Sequence, residues 1–117
     1  MILARWTYTR EEWKAFHQWR QRKKSWLHYI VYRLRLHRHR QIPEIIITPD
    51  AVLTNKRQEA FHEGDRLFQR VNIRDAGKLN VMEICYECGN RSKEIRIPIP
   101  KGRLREAIEV QEKLVAR

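Results

Sequence analysis

This chain of 117 residues has little of several features that define whole classes of protein. It has two cysteines, too few for a disulfide framework, so a reducing, cytoplasmic environment is expected. Its four glycines are scattered, which excludes a Gly-rich phosphate-binding loop. The sequence contains no internal repeat and no low-complexity tract. Its length therefore predicts one domain, residues 1–117.

Long apolar runs are also missing. Met1–Ala4 is too short for the apolar core of a secretory signal. The most apolar window, Trp26–Leu36, is interrupted by His28, Arg33 and Arg35, and it falls short of the ~20 apolar residues that span a bilayer. We therefore expect a cytoplasmic protein that is peripheral at the inner face of any membrane it meets.

Signatures of catalysis are sparse as well. Neither Ser25 nor Ser92 lies in a nucleophile-elbow motif. The histidines at positions 17, 28 and 62 are interpreted as surface or packing residues and not as catalytic bases. No enzymatic activity, no cofactor and no small-molecule substrate are expected.

Positive charge is abundant and unevenly distributed. The net charge is +11. Residues 1–40 hold eleven Lys and Arg against two acids, a net charge of +9, whereas residues 41–117 hold fourteen against twelve, a net charge of +2. Such asymmetry favours an anionic partner, namely a membrane surface, nucleic acid or an acidic protein. The simpler alternative is a basic surface that only keeps the protein soluble.

The cations of this first third are the candidate anion-binding and partner-binding residues. They are Arg20, Arg22, Lys23, Lys24, Arg33, Arg35, Arg38 and Arg40. Trp26 and Tyr29 lie among them, and such a mixture suits either a membrane interface or stacking on unpaired bases. For Trp13, Phe16, Trp19 and Trp26, packing against the rest of the protein is the favoured interpretation, because large aromatic residues are usually buried.

The first third also contains the clearest helix signal. Thr9 and Glu12 form a capping box, and large apolar residues follow at helical spacing, so residues 10–24 are predicted to form an amphipathic helix. Arg5–Tyr8 is predicted to form a short strand before it. Ile30–Leu36 alternates at the period of a strand, with continuation of the helix as the alternative.

From residue 41 onward the sequence predicts short strands separated by turns, and then a helix. The strands are Glu44–Thr48, Ala51–Thr54, Glu59–His62, Leu67–Ile73, Leu79–Tyr86 and Ile95–Ile99. A C-terminal helix is predicted over residues 101–116. Its predicted buried face consists of Leu104, Ala107, Ile108, Gln111, Leu114 and Val115.

These elements predict an α+β fold in which about seven antiparallel strands, over residues 29–99, lie between an N-terminal and a C-terminal helix. Short antiparallel strands are unstable as an open sheet with bare edges. We therefore expect a small β-barrel or two packed sheets, with a helix covering an open end.

Three segments resemble a known family. Pro43–Val52 is similar to the opening strands of bacterial PH-like domains, and Ile97–Ala107 resembles their last strand and C-terminal helix. Trp6–Phe16 resembles the N-terminal segment of the YcxB-like branch. The resemblance implies a PH-like barrel with a binding or scaffolding role and no catalytic residues. YcxB-like proteins carry a transmembrane hairpin after the first helix, where this chain has Trp26–Arg40, a segment too charged to span a membrane.

Resemblance and charge together predict a non-enzymatic binding or adaptor domain that docks on an anionic membrane surface or a membrane protein complex. A nucleic-acid-binding module is the alternative, because the same cations would bind phosphates.

The two cysteines leave one further possibility. Cys85 and Cys88 have the C-x-x-C spacing, and a structural zinc site would need two more ligands. The candidates for these are His28, His37, His39 and His62. However, residues three apart on a strand point to opposite faces, which favours one core cysteine and one near a turn. No metal is therefore expected, and a zinc site remains the alternative.

Overall fold

The computed structural model describes residues 1–21, 42–54 and 57–116. In chain order the elements are β1 (Ala4–Trp6), α1 (Arg10–Gln21), β2 (Ile45–Ile47), β3 (Ala51–Leu53), β4 (Gln58–Ala60), β5 (Arg66–Asp75), β6 (Asn80–Cys88), β7 (Arg91–Ile99) and α2 (Leu104–Val115). This confirms the α+β class and the predicted strands on both sides of α1. The predicted strand Ile30–Leu36 and the last three residues of the predicted helix 10–24 lie outside the described residues.

The described strands form two antiparallel sheets. One has the order β1-β2-β3-β4 and the other the order β5-β6-β7. Among the residues described, the strands do not close into a barrel, so of the two predicted arrangements the structure has two sheets. A single apolar core joins residues of both sheets and of α2, including Ile47, Ile84, Ile97 and Leu114.

The buried face of α2 differs from the predicted one. Leu104, Ile108 and Val115 were expected to be buried, but they are 41%, 42% and 64% exposed. Ala107 and Leu114 are buried as predicted, and they are joined by Val110, which the prediction left out. Two apolar stripes run side by side on this helix, and the stripe with the smaller residues lies against the sheets. Periodicity alone does not show which of two adjacent stripes packs.

The capping box positions α1. The Thr9 amide donates to Glu12 Oε1 at 2.9 Å, and the Glu12 amide donates to Thr9 Oγ1 at 3.1 Å, as predicted. Glu12 Oε2 also accepts a hydrogen bond from the Lys101 amide at 2.5 Å. Burial acts to raise the pKa of Glu12, but these hydrogen bonds outweigh it and hold the pKa below its usual value. The start of α1 is thereby attached to the loop between β7 and α2.

Both faces of β6 are buried. Met82, Ile84 and Tyr86 belong to the apolar core, and Glu83 and Cys85 alternate with them on the other face. We call these the inner and outer faces of the three-stranded sheet. α1 lies on the outer face, where the Arg96 guanidinium carbon is 5.5 Å from the Trp19 ring centroid.

Candidate functional site

A cavity of about 420 Å³ opens on the outer face of the three-stranded sheet, beside the C-terminal end of α1. Its charged lining residues are four cations, Arg20, Arg70, Lys93 and Arg96, and two acids, Glu87 and Glu94. Lys93 lies opposite Tyr86 in the β6–β7 register, so its side chain belongs to the inner face, and the charged groups on the outer face are three arginines and two carboxylates. We call this cavity the outer-face cavity.

A β-bulge places Arg70 at this cavity. The β5–β6 register shifts between Phe68 and Arg70, so Gln69 is an extra residue on β5. Arg70 consequently lies opposite Cys85, on the outer face. Without the extra residue, alternation would place Arg70 opposite Ile84 and turn it into the apolar core.

A buried carboxylate fixes Arg96. The Glu83 side chain is 3% exposed, and it forms ion pairs with Arg74 Nε and, at 3.1 Å, with Arg96 Nε. Arg96 Nη2 also contacts Glu94 Oε2 at 3.1 Å. A buried carboxylate needs such partners, because an unpaired charge away from water is very unfavourable. The guanidinium of Arg96 is thus held between two carboxylates and the Trp19 ring.

Arg20 and Arg70 are held differently. Both are exposed, and within the described parts of the chain neither forms an ion pair with a carboxylate. Burial raises the pKa of the Cys85 thiol, and the nearby positive charge of Arg70 opposes this only in part. The thiol therefore stays protonated at neutral pH.

Of the eight predicted binding residues, Arg20 lies in the described residues, at the rim of the outer-face cavity. The other seven, at positions 22, 23, 24, 33, 35, 38 and 40, lie outside them. The structure brings Arg20 together with Arg70 and Arg96, which sequence reasoning did not select. Arg96 alternates with buried isoleucines and could have been recognised as an outer-face cation. The sequence gives no sign of the bulge that turns Arg70 outward.

The cysteines do not form a recognisable metal site. Cys85 and Cys88 both lie on β6, and the Cys88 Sγ is 3.8 Å from an Asp65 carboxylate oxygen. Over the ranges the structure describes, no group of three or more His, Cys, Asp or Glu side chains is arranged to hold a metal. His62 is exposed, and the other predicted zinc ligands, His28, His37 and His39, lie outside those ranges.

Three tryptophans pack within the protein. Trp6 is buried, and its Nε1 donates to Glu106 Oε1 at 2.7 Å. Trp13 is half-buried with its ring centroid 4.6 Å from that of His17, and Trp19 lies against Arg96. Phe16 is buried as well, so the packing interpretation is confirmed for Trp13, Phe16 and Trp19. Trp26 lies outside the described residues.

The family resemblance stays a prediction. No protein family, curated protein or solved structure matches this chain. Neither of the helices that the structure describes has the length and apolarity needed to cross a bilayer. Its charge distribution and the outer-face cavity are the features that bear on function.

Proposed function

We propose that this protein is a non-enzymatic binding domain that docks on an anionic membrane surface, either directly on lipid or on a membrane protein complex. The observation that carries the proposal is the separation of charge along the chain. All fourteen acidic residues lie in the described parts, beside sixteen Lys and Arg, whereas residues 22–41 contain seven cations and no acid. We call residues 22–41 the basic segment.

The size of this charge suits surface binding. A Lys or Arg near anionic headgroups contributes about 1 kcal/mol, so seven of them are enough for binding at low salt. The attraction falls off within the Debye length, which is about 10 Å at 0.1 M salt. Binding that depends steeply on salt is therefore expected.

The place of the basic segment along the chain supports the same proposal. β1 and β2 are paired neighbours, with Ala4 opposite Ile47 and Trp6 opposite Ile45. α1 and the basic segment are therefore an insertion between two adjacent strands. We propose that the fold is PH-like, since sheets of four and three strands share a core with a C-terminal helix. In the YcxB-like branch the same insertion would hold a membrane hairpin, and here it would bind the surface instead.

Vesicle co-sedimentation tests direct lipid binding. The protein should bind phosphatidylglycerol–phosphatidylcholine vesicles at 50 mM salt, leave them at 500 mM salt and ignore pure phosphatidylcholine. Replacing the seven cations of the basic segment by Gln should abolish binding.

The matched control removes equal charge from the described residues. It replaces seven exposed cations that take part in none of the ion pairs above: Arg10, Lys14, Arg57, Lys78, Arg91, Arg105 and Lys113. This variant should keep most of the binding. Equal loss in both variants would show that net charge matters and the basic segment does not, and no binding at 50 mM salt would refute direct lipid docking.

Nucleic acid binding is the rival outcome, and it is less well supported because Trp6 is buried and the half-buried Trp13 and Trp19 pack against neighbouring side chains. Anisotropy titrations with single-stranded and duplex DNA at low salt would reveal it. The logarithm of the binding constant would then fall linearly with the logarithm of the salt concentration. Tight binding to nucleic acid without binding to vesicles would replace the membrane proposal.

A further inference from the structure

We propose that the outer-face cavity binds a phosphomonoester group. In its lipid form this inference rests on the proposed membrane function, since the group would belong to a headgroup. If the group belongs to a soluble phosphate ester, the inference does not depend on the membrane function.

The charge of the unpaired arginines matches that of a phosphomonoester. Such a group carries about −1.5 to −2 at pH 7 and has three free oxygens, and Arg20 and Arg70, which form no ion pair with a described carboxylate, together carry +2. A phosphodiester or a carboxylate carries a single negative charge and offers two free oxygens, so it matches the two guanidinium groups less well. The match therefore favours the dianion over these more common anions.

Two of the arginines at the cavity form no ion pair within the described residues. Arg96 is engaged by Glu83 and Glu94. Arg20 and Arg70 form no ion pair with a described carboxylate, and both are exposed. Arg20 lies 5.9 Å from the Phe16 ring centroid, and Arg70 is hydrogen-bonded to Cys85. Two guanidinium groups are therefore available for a phosphate, while Glu83 and Glu94 hold Arg96 in place.

The positions of these cations suit the shape of a phosphate. Arg20 comes from the end of α1 and Arg70 from the bulge of β5, so the two guanidinium groups reach the cavity from different elements. A guanidinium binds two phosphate oxygens at once through its parallel N–H groups, which a lysine cannot do. Bulges are often found beside binding sites, where they redirect a side chain as this one redirects Arg70.

The cavity is larger than a phosphate ion requires. Its volume of about 420 Å³ lies within the ~300–1,000 Å³ typical of small-molecule sites. The Gln69 amide and the Ser92 hydroxyl also line it, and they offer neutral hydrogen-bonding groups to whatever the phosphate is esterified to. The site therefore suits a phosphate ester better than a bare ion.

Titration with soluble probes tests the site directly. Glycerol 3-phosphate should bind the full chain in calorimetry and shift the amide NMR signals of residues 69–70 and 92–96. Glycerophosphocholine, a diester, should bind at least tenfold more weakly. R20Q/R70Q should weaken glycerol 3-phosphate at least tenfold, whereas R10Q/R105Q, with the same change in charge, should stay within twofold.

A conservative variant covers the case in which R20Q/R70Q folds poorly, which circular dichroism would reveal. Arg70→Lys keeps the charge and loses the guanidinium, so it should still weaken glycerol 3-phosphate by several fold. Absence of binding at millimolar glycerol 3-phosphate, or equal binding by wild type and R20Q/R70Q, overturns the proposal.

Vesicles distinguish a lipid source from a soluble one. If the ligand is a headgroup, wild type binds phosphatidic acid vesicles more tightly than phosphatidylglycerol vesicles of equal charge. R20Q/R70Q then binds both kinds of vesicle equally, because it keeps the general attraction and loses the preference. If it is a soluble ester, glycerol 3-phosphate binds and no such preference exists. Loss of all vesicle binding with intact glycerol 3-phosphate binding refutes the membrane function alone, and the reverse result refutes the phosphomonoester site alone.

Discussion

The two faces of the three-stranded sheet are both buried along β6, but by different means. The inner face is closed by apolar side chains such as Ile84 and Met82, which are fully buried in the shared core. The outer face is closed by Glu83, whose carboxylate is held between Arg74 and Arg96. The comparison shows that one strand contributes its stability through the inner face and positions charge through the outer face.

This division explains where a binding site can form. An apolar face packs tightly and leaves no room for a polar ligand. The outer face is polar, and its cavity is lined by cations that the protein neutralises only in part. The predictions below separate the two faces, in order of expected effect.

Removing an inner-face side chain should have the largest effect. Ile84→Ala leaves a cavity in the core and should lower the free energy of unfolding by about 4 kcal/mol. Ile108→Ala, at a 42% exposed position on α2, is the matched control and should cost less than about 1 kcal/mol. Urea denaturation measures both. Equal effects would contradict the burial of Ile84 and the exposure of Ile108.

Removing the outer-face carboxylate should have the next largest effect. Glu83→Ala leaves two arginines without their shared partner and should cost about 3 kcal/mol, since breaking a buried ion pair is strongly destabilising. Glu109→Ala, at an exposed position of α2, is the control, with an expected change within about 0.5 kcal/mol. An effect of Glu83→Ala as small as that of the control would show that the ion pairs contribute no stability.

Much of this fold could be predicted from the sequence. Two signals depend only on residues that are close in sequence, and both predict the correct element. They are the capping box at Thr9 and Glu12, which predicts the helix, and the alternation around Ile95–Ile99, which predicts the strand. The buried stripe of α2 was predicted only in part, because Leu104 and Ile108 are as apolar as the residues that pack. Which stripe is buried depends on the rest of the fold, which local pattern does not contain.

The candidate site was less predictable. Sequence reasoning selected Arg20 for the charge around it, and that reasoning says nothing about residues 50 or more positions away. Arg70 reaches the cavity through a one-residue bulge, and Arg96 through its register opposite Glu83. Strand register over such distances depends on the packing of whole sheets, so it is set by tertiary structure.

The third prediction concerns pH and the helix on the outer face. Burial, with a smaller contribution from Arg20, lowers the pKa of His17 to about 4 from its usual 6.5. The unfolded chain therefore binds the proton first, so the free energy of unfolding should fall as pH drops through 6.5 and level off near 4. Because His17 is only half-buried, we expect a loss on the order of 2 kcal/mol.

Denaturation at several pH values in that window tests this prediction. His17→Phe should remove that part of the pH dependence, since phenylalanine suits the contact with Trp13 and does not titrate. His62→Asn, which changes an exposed histidine, should leave the dependence as in wild type. If His17→Phe and wild type lose stability in parallel between pH 6.5 and 4, His17 is not the group responsible.

The smallest expected effect concerns how α1 is held beside the cavity. Glu12→Ala removes the capping box and the hydrogen bond to the Lys101 amide, and it should cost about 1 kcal/mol. Glu11→Ala, one residue earlier and exposed, keeps both interactions and should cost less. The more informative measurement is glycerol 3-phosphate binding: because α1 carries Arg20, Glu12→Ala should weaken binding while Ile108→Ala does not. Unchanged binding in Glu12→Ala would mean that the outer face holds α1 without this tether, through Trp19 and Arg96 alone.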